Sequence, residues 1–140
     1  MSKRGPIIIA EDDIDEREIL LQAFNSMGVR NQIKFFDHGQ LVLDYLNNTT
    51  EKPFIIICDI NLPVMNGIEL REAIDQSEYL RRKSIPFIFL TTYSSPESVN
   101  KAYEMTVQGF FIKENTIQAI VQSLRCILEY WTKCRHPNNP

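Results

Sequence analysis

Five short apolar runs recur along the 140-residue chain, and they constrain its fold more than any other feature. Each run has the length of a β-strand. Three runs are nearly continuous in Ile, Phe and Leu, which is typical of strands buried on both faces of a parallel sheet. The second run has Gln and Lys interleaved with its apolar residues, which predicts an edge strand. The five runs are Pro6 to Ala10, Gln32 to Phe36, Phe54 to Cys58, Pro86 to Leu90 and Gly109 to Ile112.

Segments with a helical spacing of apolar residues follow these runs. The longest begins at Ile117 and keeps its apolar stripe, at three- and four-residue steps, as far as Trp131. A strand followed by a helix, five times over, predicts a (βα)5 α/β fold, a doubly wound, flavodoxin-like parallel sheet with helices on both faces. The common order for such a sheet is 2-1-3-4-5. We expect one domain over residues 1–131 and a polar C-terminal tail over residues 132–140.

Charge and composition argue against several classes of function. The net charge is −3, so the chain has no basic field to hold a phosphate backbone, and no direct nucleic-acid partner is expected. The apolar run near the start ends at Ala10, too short for a signal-peptide core or a membrane span, which predicts a cytoplasmic protein with no membrane partner. Cys58, Cys126 and Cys134 are odd in number and widely spaced, which favours reduced thiols over a disulfide framework or a zinc site.

Polar side chains follow each predicted strand. In doubly wound sheets, ligands bind beyond the carboxyl ends of the strands, where the strand order reverses. The predicted order places the first and third strands side by side, so the acids that follow them face each other and would repel without a cation. Mg2+ suits such carboxylates, and a nearby Lys and Thr would complete the groups that phosphoryl transfer requires. The residues after the five strands are, in order, Glu11, Asp12 and Asp13; Asp37; Asp59; Thr91 and Thr92; and Lys113 and Glu114.

These motifs resemble those of the receiver domain of two-component response regulators, over nearly the whole chain, and especially the stand-alone kind made of that domain only. Residues 7–13 read I-I-I-A-E-D-D, which resembles the family's first strand and acid pair. Residues 59–67 read D-I-N-L-P-V-M-N-G, which resembles its phosphoacceptor motif. Leu90-Thr91-Thr92 and Ile112-Lys113 match the remaining two motifs.

The resemblance implies a role for each matched acid. Asp59 would accept a phosphoryl group from the phosphohistidine of a sensor histidine kinase. Asp12 and Asp59 would bind Mg2+ directly, Glu11 would bind it through water, and Asn61 would bind it through the backbone carbonyl. Such a domain is not an enzyme, since it catalyses only its own phosphorylation and dephosphorylation.

The resemblance also implies a switch and a set of partners. Thr91 and Lys113 would hold phosphoryl oxygens, and Phe110 matches an aromatic residue that moves inward when the Thr is drawn to the phosphate. The altered docking surface would comprise the fourth predicted helix, the fifth strand and the fifth helix, about Pro96 to Trp131. Through it the domain would bind a downstream protein, pass phosphate to a histidine phosphotransfer protein, or form a homodimer.

The chain departs from the family pattern at three positions. Glu114 stands where the family usually has Pro, but Lys113 is expected to reach the phosphoacceptor whether the bond between them is cis or trans. Thr92 and Tyr93 are bulky and would shield an acyl phosphate from water, whereas Asn61 would help to orient an attacking water. The two effects oppose each other and leave the phosphate lifetime open.

The remaining polar groups are expected to be ordinary surface residues. Arg81-Arg82-Lys83 predicts a solvated loop, His38 a turn and His136 a position in the tail. The charges expected to stay solvated are Asp13, Asp15, Glu16 and Glu114.

Two other classes of function stay open. A hydrolase with an aspartyl-phosphate intermediate would share the chemistry, although the haloacid-dehalogenase group carries its nucleophile after the first strand. A phosphorylation-independent binding module would keep the fold and lose the site.

Overall fold

The computed structural model describes residues 3–92 and 95–135, in which five parallel strands form one sheet with helices on both faces. The strand order is β2-β1-β3-β4-β5, which confirms the prediction. Tyr93 and His136, for which predictions were made, lie outside the described residues. The strands are β1 (Ile7–Ala10), β2 (Ile33–Phe36), β3 (Ile55–Cys58), β4 (Phe87–Thr91) and β5 (Gly109–Ile112). The helices are α1 (Ile14–Ser26), α2 (Gly39–Asn48), α3 (Gly67–Gln76), α4 (Glu78–Arg82), α5 (Pro96–Glu104) and α6 (Ile117–Lys133).

Two hydrophobic clusters, one on each face of the sheet, account for the continuous apolar runs. Ile7 and Ile9 of β1 point to the face covered by α1 and α6. Ile8 points to the opposite face, which α2, α3 and α5 cover. Because successive side chains of a strand alternate between faces, a strand covered on both sides has no position left for a polar residue.

The two edge strands are less well covered than the three central ones. All residues of β1, β3 and β4 are buried, whereas those of β2 are half-buried. Within β2, Lys34 forms an ion pair with Glu51 at the start of the segment that leads into β3. The prediction of an edge position for the second run is therefore confirmed.

A sixth helix, α4, corrects one prediction. Arg81 and Arg82 lie in this five-residue helix and not in a loop. Ser77 caps α4 by accepting a hydrogen bond from the Leu80 amide at 3.2 Å, and the Leu80 side chain is buried in the core. One turn with one buried residue has no apolar periodicity, so the pattern could not reveal it. The fourth and fifth predicted helices are α5 and α6.

Side-chain caps set where the helices begin after the strands. The Asp13 carboxylate accepts hydrogen bonds from the first turn of α1, and the His38 ring accepts one from Leu41 at the start of α2. Asn66 and Glu69 form a reciprocal capping box at α3. His38, for which a turn was predicted, is instead the N-cap residue of α2, with an extended backbone.

The last helix, α6, runs to Lys133, so two residues of the predicted tail are helical. Its apolar stripe contributes Leu124, Ile127 and Leu128 to the core. Among residues 3–92 and 95–135, no helix combines the length and the apolar character needed to cross a membrane.

The cysteines differ in how accessible they are to reagents. Cys58 is completely buried in β3, and burial raises the pKa of its thiol well above the ordinary value, whereas Cys126 is exposed on α6. Since the thiolate is the reactive form, brief treatment of the native protein with N-ethylmaleimide should modify Cys126 and spare Cys58. Peptide mass spectrometry checks this, with protein unfolded in guanidinium as the control in which both thiols react. Equal modification of the two thiols in the native protein would contradict the burial of β3.

Candidate functional site

Asp59 follows β3 directly and is held at the centre of the sheet's carboxyl edge. Its backbone N–H donates to the Ala10 carbonyl of β1 at 3.0 Å, and the residue is 9% exposed. One carboxylate oxygen, Oδ1, accepts hydrogen bonds from the Thr91 hydroxyl at 2.8 Å and from the Asn61 amide at 3.2 Å. The other oxygen, Oδ2, faces Lys113. The carboxylate is thus oriented from two sides, with one oxygen next to a cation.

Lys113 follows β5 and points back across the edge of the sheet. Its backbone N–H donates to the Thr91 carbonyl at 2.8 Å, and its side chain is 8% exposed. The ammonium group donates to Glu11 and Glu16 and lies 3.4 Å from Asp59 Oδ2. The peptide bond to Glu114 is trans. Lys113 therefore reaches Asp59 without the proline that usually follows it.

The neighbouring carboxylates keep Lys113 charged. Burial by itself lowers the pKa of an ammonium group, but the hydrogen bonds to Glu11 and Glu16 and the charge of Asp59 outweigh that effect and raise the pKa of Lys113. A permanent positive charge therefore lies beside Asp59.

Glu11 is the most buried of the acids. Only 2% of the residue is exposed, and its backbone N–H donates to the Phe36 carbonyl of β2 at 3.0 Å. Burial raises the pKa of its carboxyl group to about 7, and the hydrogen bonds from Lys113 only partly offset this rise. Arg17 Nε donates to the Glu11 carbonyl at 2.6 Å, and its guanidinium pairs with Asp37. A bound cation or proton would therefore stabilise this buried carboxyl group.

Glu16 corrects the prediction that it stays solvated. It lies in the first turn of α1, where side chains point toward the start of the helix and hence toward the carboxyl edge of the sheet. There its carboxylate accepts a hydrogen bond from Lys113. The available sequence signal was its position three residues after the cap, Asp13, which places it in the first turn of α1.

The acidic cluster differs in membership from the predicted metal ligands. Glu11, Glu16 and Asp59 each offer an oxygen within 4.8 Å of the others, and within the described part of the chain no other acidic group of this kind occurs. Asp12, predicted as a direct ligand, is exposed and is not a member. Three carboxylates around one ammonium group leave an excess of negative charge, and the oxygens of Glu11 and Asp59 are donors of the kind that a divalent cation such as Mg2+ binds.

Thr91 and Phe110 lie on neighbouring strands at this edge. Thr91 is fully buried at the end of β4. Phe110 of β5 pairs in register with Phe89 of β4 and is half-buried, with the two ring centroids 5.6 Å apart. Thr91 therefore lies two residues along β4 from Phe89, the residue that contacts Phe110.

Gly67, at the start of α3, is a further residue on which the site depends. A Cβ atom there would lie 2.4 Å from the Asp59 carbonyl oxygen and 2.9 Å from the Phe89 ring. Its amide donates to the Ile60 carbonyl at 3.0 Å, which folds the loop after Asp59 back over the strand end. The segment therefore ends on Gly because the loop packs against the backbone of Asp59.

Comparisons with known proteins identify the family of this chain. The family described as the response regulator receiver domain matches residues 7–125. The probable methanogenesis regulatory protein FilR2 of Methanothrix harundinacea is 30% identical over 129 residues, which cover 89% of this chain and 82% of that protein. The DNA-binding transcriptional regulator NtrC of Klebsiella pneumoniae is 28% identical, and the match covers 98% of this chain but only 28% of NtrC.

A solved structure shows the same fold. The phosphorylated cyanobacterial phytochrome response regulator RcpA superimposes with a TM-score of 0.84 at 22% identity, over 95% of this chain and 97% of that one. Both the family match and the fold are those of a signalling domain. The chain therefore belongs to the response regulator receiver domain family of two-component signalling.

Proposed function

We propose that Asp59 accepts a phosphoryl group from a phosphohistidine of a sensor histidine kinase. The observation that carries the proposal is the setting of the Asp59 carboxylate, which is hydrogen-bonded by Thr91 on one oxygen and faces the Lys113 ammonium on the other. A carboxylate at a cleft, with a hydroxyl donor and a cation beside it, is suited to act as a nucleophile in phosphoryl transfer.

In the transfer step, an Asp59 carboxylate oxygen attacks the phosphorus atom, and an O–P bond forms while the N–P bond of the phosphohistidine breaks. The imidazole nitrogen takes the electron pair of the broken bond. Lys113 and Thr91 donate hydrogen bonds to the phosphoryl oxygens and so stabilise the added negative charge. The only catalysis proposed is that of the domain's own phosphorylation and dephosphorylation.

We propose Glu11, Asp12, Asp59 and the Asn61 carbonyl as the residues that hold Mg2+. Glu11 and Asp59 already lie together, and the Asn61 amide is hydrogen-bonded to Asp59, which places its loop at the cleft. Asp12 is exposed next to Glu11 and would have to turn inward. When bound there, Mg2+ would offset the negative charge of the carboxylates and of the phosphoryl group.

The output of the site is proposed to pass through Thr91 and Phe110. When Thr91 follows the phosphoryl group, Phe110 can pack further inward and change the surface of α5, β5 and α6. That surface carries several exposed apolar side chains, Tyr103, Ile112, Ile117 and Tyr130. We propose that it docks a downstream protein or a histidine phosphotransfer protein, or forms a homodimer, and that phosphorylation shifts the population of its docking-competent form.

The proposal is tested by incubating the protein with Mg2+ and acetyl phosphate and measuring the intact mass. Wild-type protein should gain the mass of one phosphoryl group, and the Asp59→Asn variant should gain none. Asp44→Asn, at an exposed acid of α2, is the matched control and should be phosphorylated like the wild type. A wild-type protein that stays unmodified would favour a phosphorylation-independent binding module, and rapid turnover of many phosphoesters would favour a hydrolase.

A further inference from the structure

Three carboxylates share the ammonium group of Lys113. An ammonium group has three N–H donors, and here they face Glu11, Glu16 and Asp59. Glu11 and Asp59 belong to the proposed metal set, whereas Glu16 does not. Glu16 comes from helix α1, and its carboxylate forms an ion pair with Lys113.

The structure allows Glu16 to hold Lys113 and also to release it. The Glu16 backbone amide is fixed by the Asp13 carboxylate at 3.2 Å, so the side chain starts from a rigid position. The side chain itself is 30% exposed, and Glu16 and Lys113 together line a cavity of about 230 Å³ between α1 and the start of α6. The Glu16 carboxylate therefore has space into which it can move.

Phosphorylation of Asp59 would change the balance of charge around Lys113. A phosphoryl group adds negative charge and strong acceptor oxygens to Asp59. These oxygens need a hydrogen bond from Lys113, but all three N–H groups of its ammonium already face carboxylates. The Glu16 carboxylate competes for the same ammonium group and also repels the phosphoryl group.

We propose that Glu16 is a positioning residue that competes with Asp59 for the Lys113 ammonium group and so lowers the stability of the phosphorylated state. The inference rests on the proposed function of Asp59. Displacement of the Glu16 carboxylate from Lys113 would then be part of the phosphorylation step, and the strength of this contact would set how far the domain is phosphorylated at a given supply of phosphodonor.

The test compares wild-type protein, Glu16→Gln and Glu18→Gln in their binding of beryllofluoride, a phosphoryl analogue, at saturating Mg2+. Glu18 lies on the same helix and is exposed, so its variant carries the same charge change away from Lys113. Glu16→Gln should bind beryllofluoride about three- to tenfold more tightly, as expected for loss of a competing, partly exposed ion pair. Glu18→Gln should bind as the wild type does.

A second measurement separates positioning from a purely structural effect. The NMR signal of the Lys113 ammonium group, assigned by its loss in Lys113→Arg, should shift in Glu16→Gln without analogue and stay unchanged in Glu18→Gln. Unchanged or weaker beryllofluoride binding by Glu16→Gln would overturn the inference and leave the proposed function intact. If both variants bind beryllofluoride more tightly by the same factor, the cause is a general effect of charge and the inference is overturned. Absence of analogue binding by wild-type protein would overturn the proposed function, whereas the Lys113 signal would still report on the contact.

Discussion

Replacing Lys113 with Met is expected to lower the free energy of unfolding by about 3 kcal/mol in metal-free buffer at neutral pH, because removing one partner of a buried ion pair leaves the other charges uncompensated. The side chain is 8% exposed and Met has a similar length, so the change removes the charge and keeps most of the volume. Glu11, Glu16 and Asp59 then repel one another without a cation between them. Urea denaturation followed by circular dichroism measures the loss.

Mg2+ should restore part of this stability. A cation that binds the folded state stabilises it in proportion to the logarithm of its concentration over Kd. Because Lys113 offsets part of the negative charge of the cluster in wild-type protein, millimolar Mg2+ should stabilise Lys113→Met more than it stabilises the wild type. Lys101→Met, at an exposed position of α5, is the control and should change stability by no more than about 0.5 kcal/mol. Equal losses in the two variants would contradict a charge-compensating role for Lys113.

Replacing Gly67 with Ala is expected to lower the free energy of unfolding by about 2 to 3 kcal/mol. This value is near the upper end of the range for adding a methyl group to a packed site. The new Cβ would lie 2.4 Å from the Asp59 carbonyl oxygen and 3.0 Å from the Ile60 Cα. Both contacts are with backbone, which cannot turn aside as a flexible side chain can. Ala is the better helix former, but that gain of about 1 kcal/mol is smaller than the expected clash.

Gly28→Ala provides the matched comparison for Gly67→Ala. Gly28 has a φ of 69° and no atom within 4 Å of the position that a Cβ would take, so its substitution tests backbone conformation without crowding. A residue with a Cβ in this conformation costs about 1 kcal/mol. Urea denaturation should therefore rank Gly67→Ala as the more damaging change, and beryllofluoride binding should weaken in that variant alone. The opposite ranking would show that the loop after Asp59 can move away from α3.

Much of the fold could be predicted from the sequence because burial on both faces of a sheet leaves a direct mark on the residues. Ile55, Ile56 and Ile57 are all buried although they point to alternate faces, and the run of three β-branched residues reflects both faces at once. The helix α4 left no such mark, since only Leu80 of its turn reaches the core. A short element with one buried residue has too few apolar positions to form a recognisable pattern.

The site was predictable to the extent that strand ends determine it. Asp59 and Lys113 each follow a strand and Thr91 is the last residue of one, and adjacent parallel strands bring their carboxyl ends together whatever the loops do. Asp12, whose carboxylate is exposed, lies beyond the strand end in the connection to α1, and Glu16, which was predicted to stay solvated, lies in the first turn of that helix. Their positions depend on the direction in which that helix leaves the sheet.

The residue pattern was enough to predict the parallel sheet, the position of Asp59 at its centre and the presence of Lys113 opposite it, because these features follow from burial on both faces and from chain order. Which acids share Lys113 depends on how the helices pack. Helix α1 packs against α6 and its first turn is fixed by Asp13, so Glu16 faces into the cleft while Asp12 faces solvent. Short-range charge interactions depend on separations of a few ångströms, and those separations are set by helix packing, which residue spacing alone does not encode.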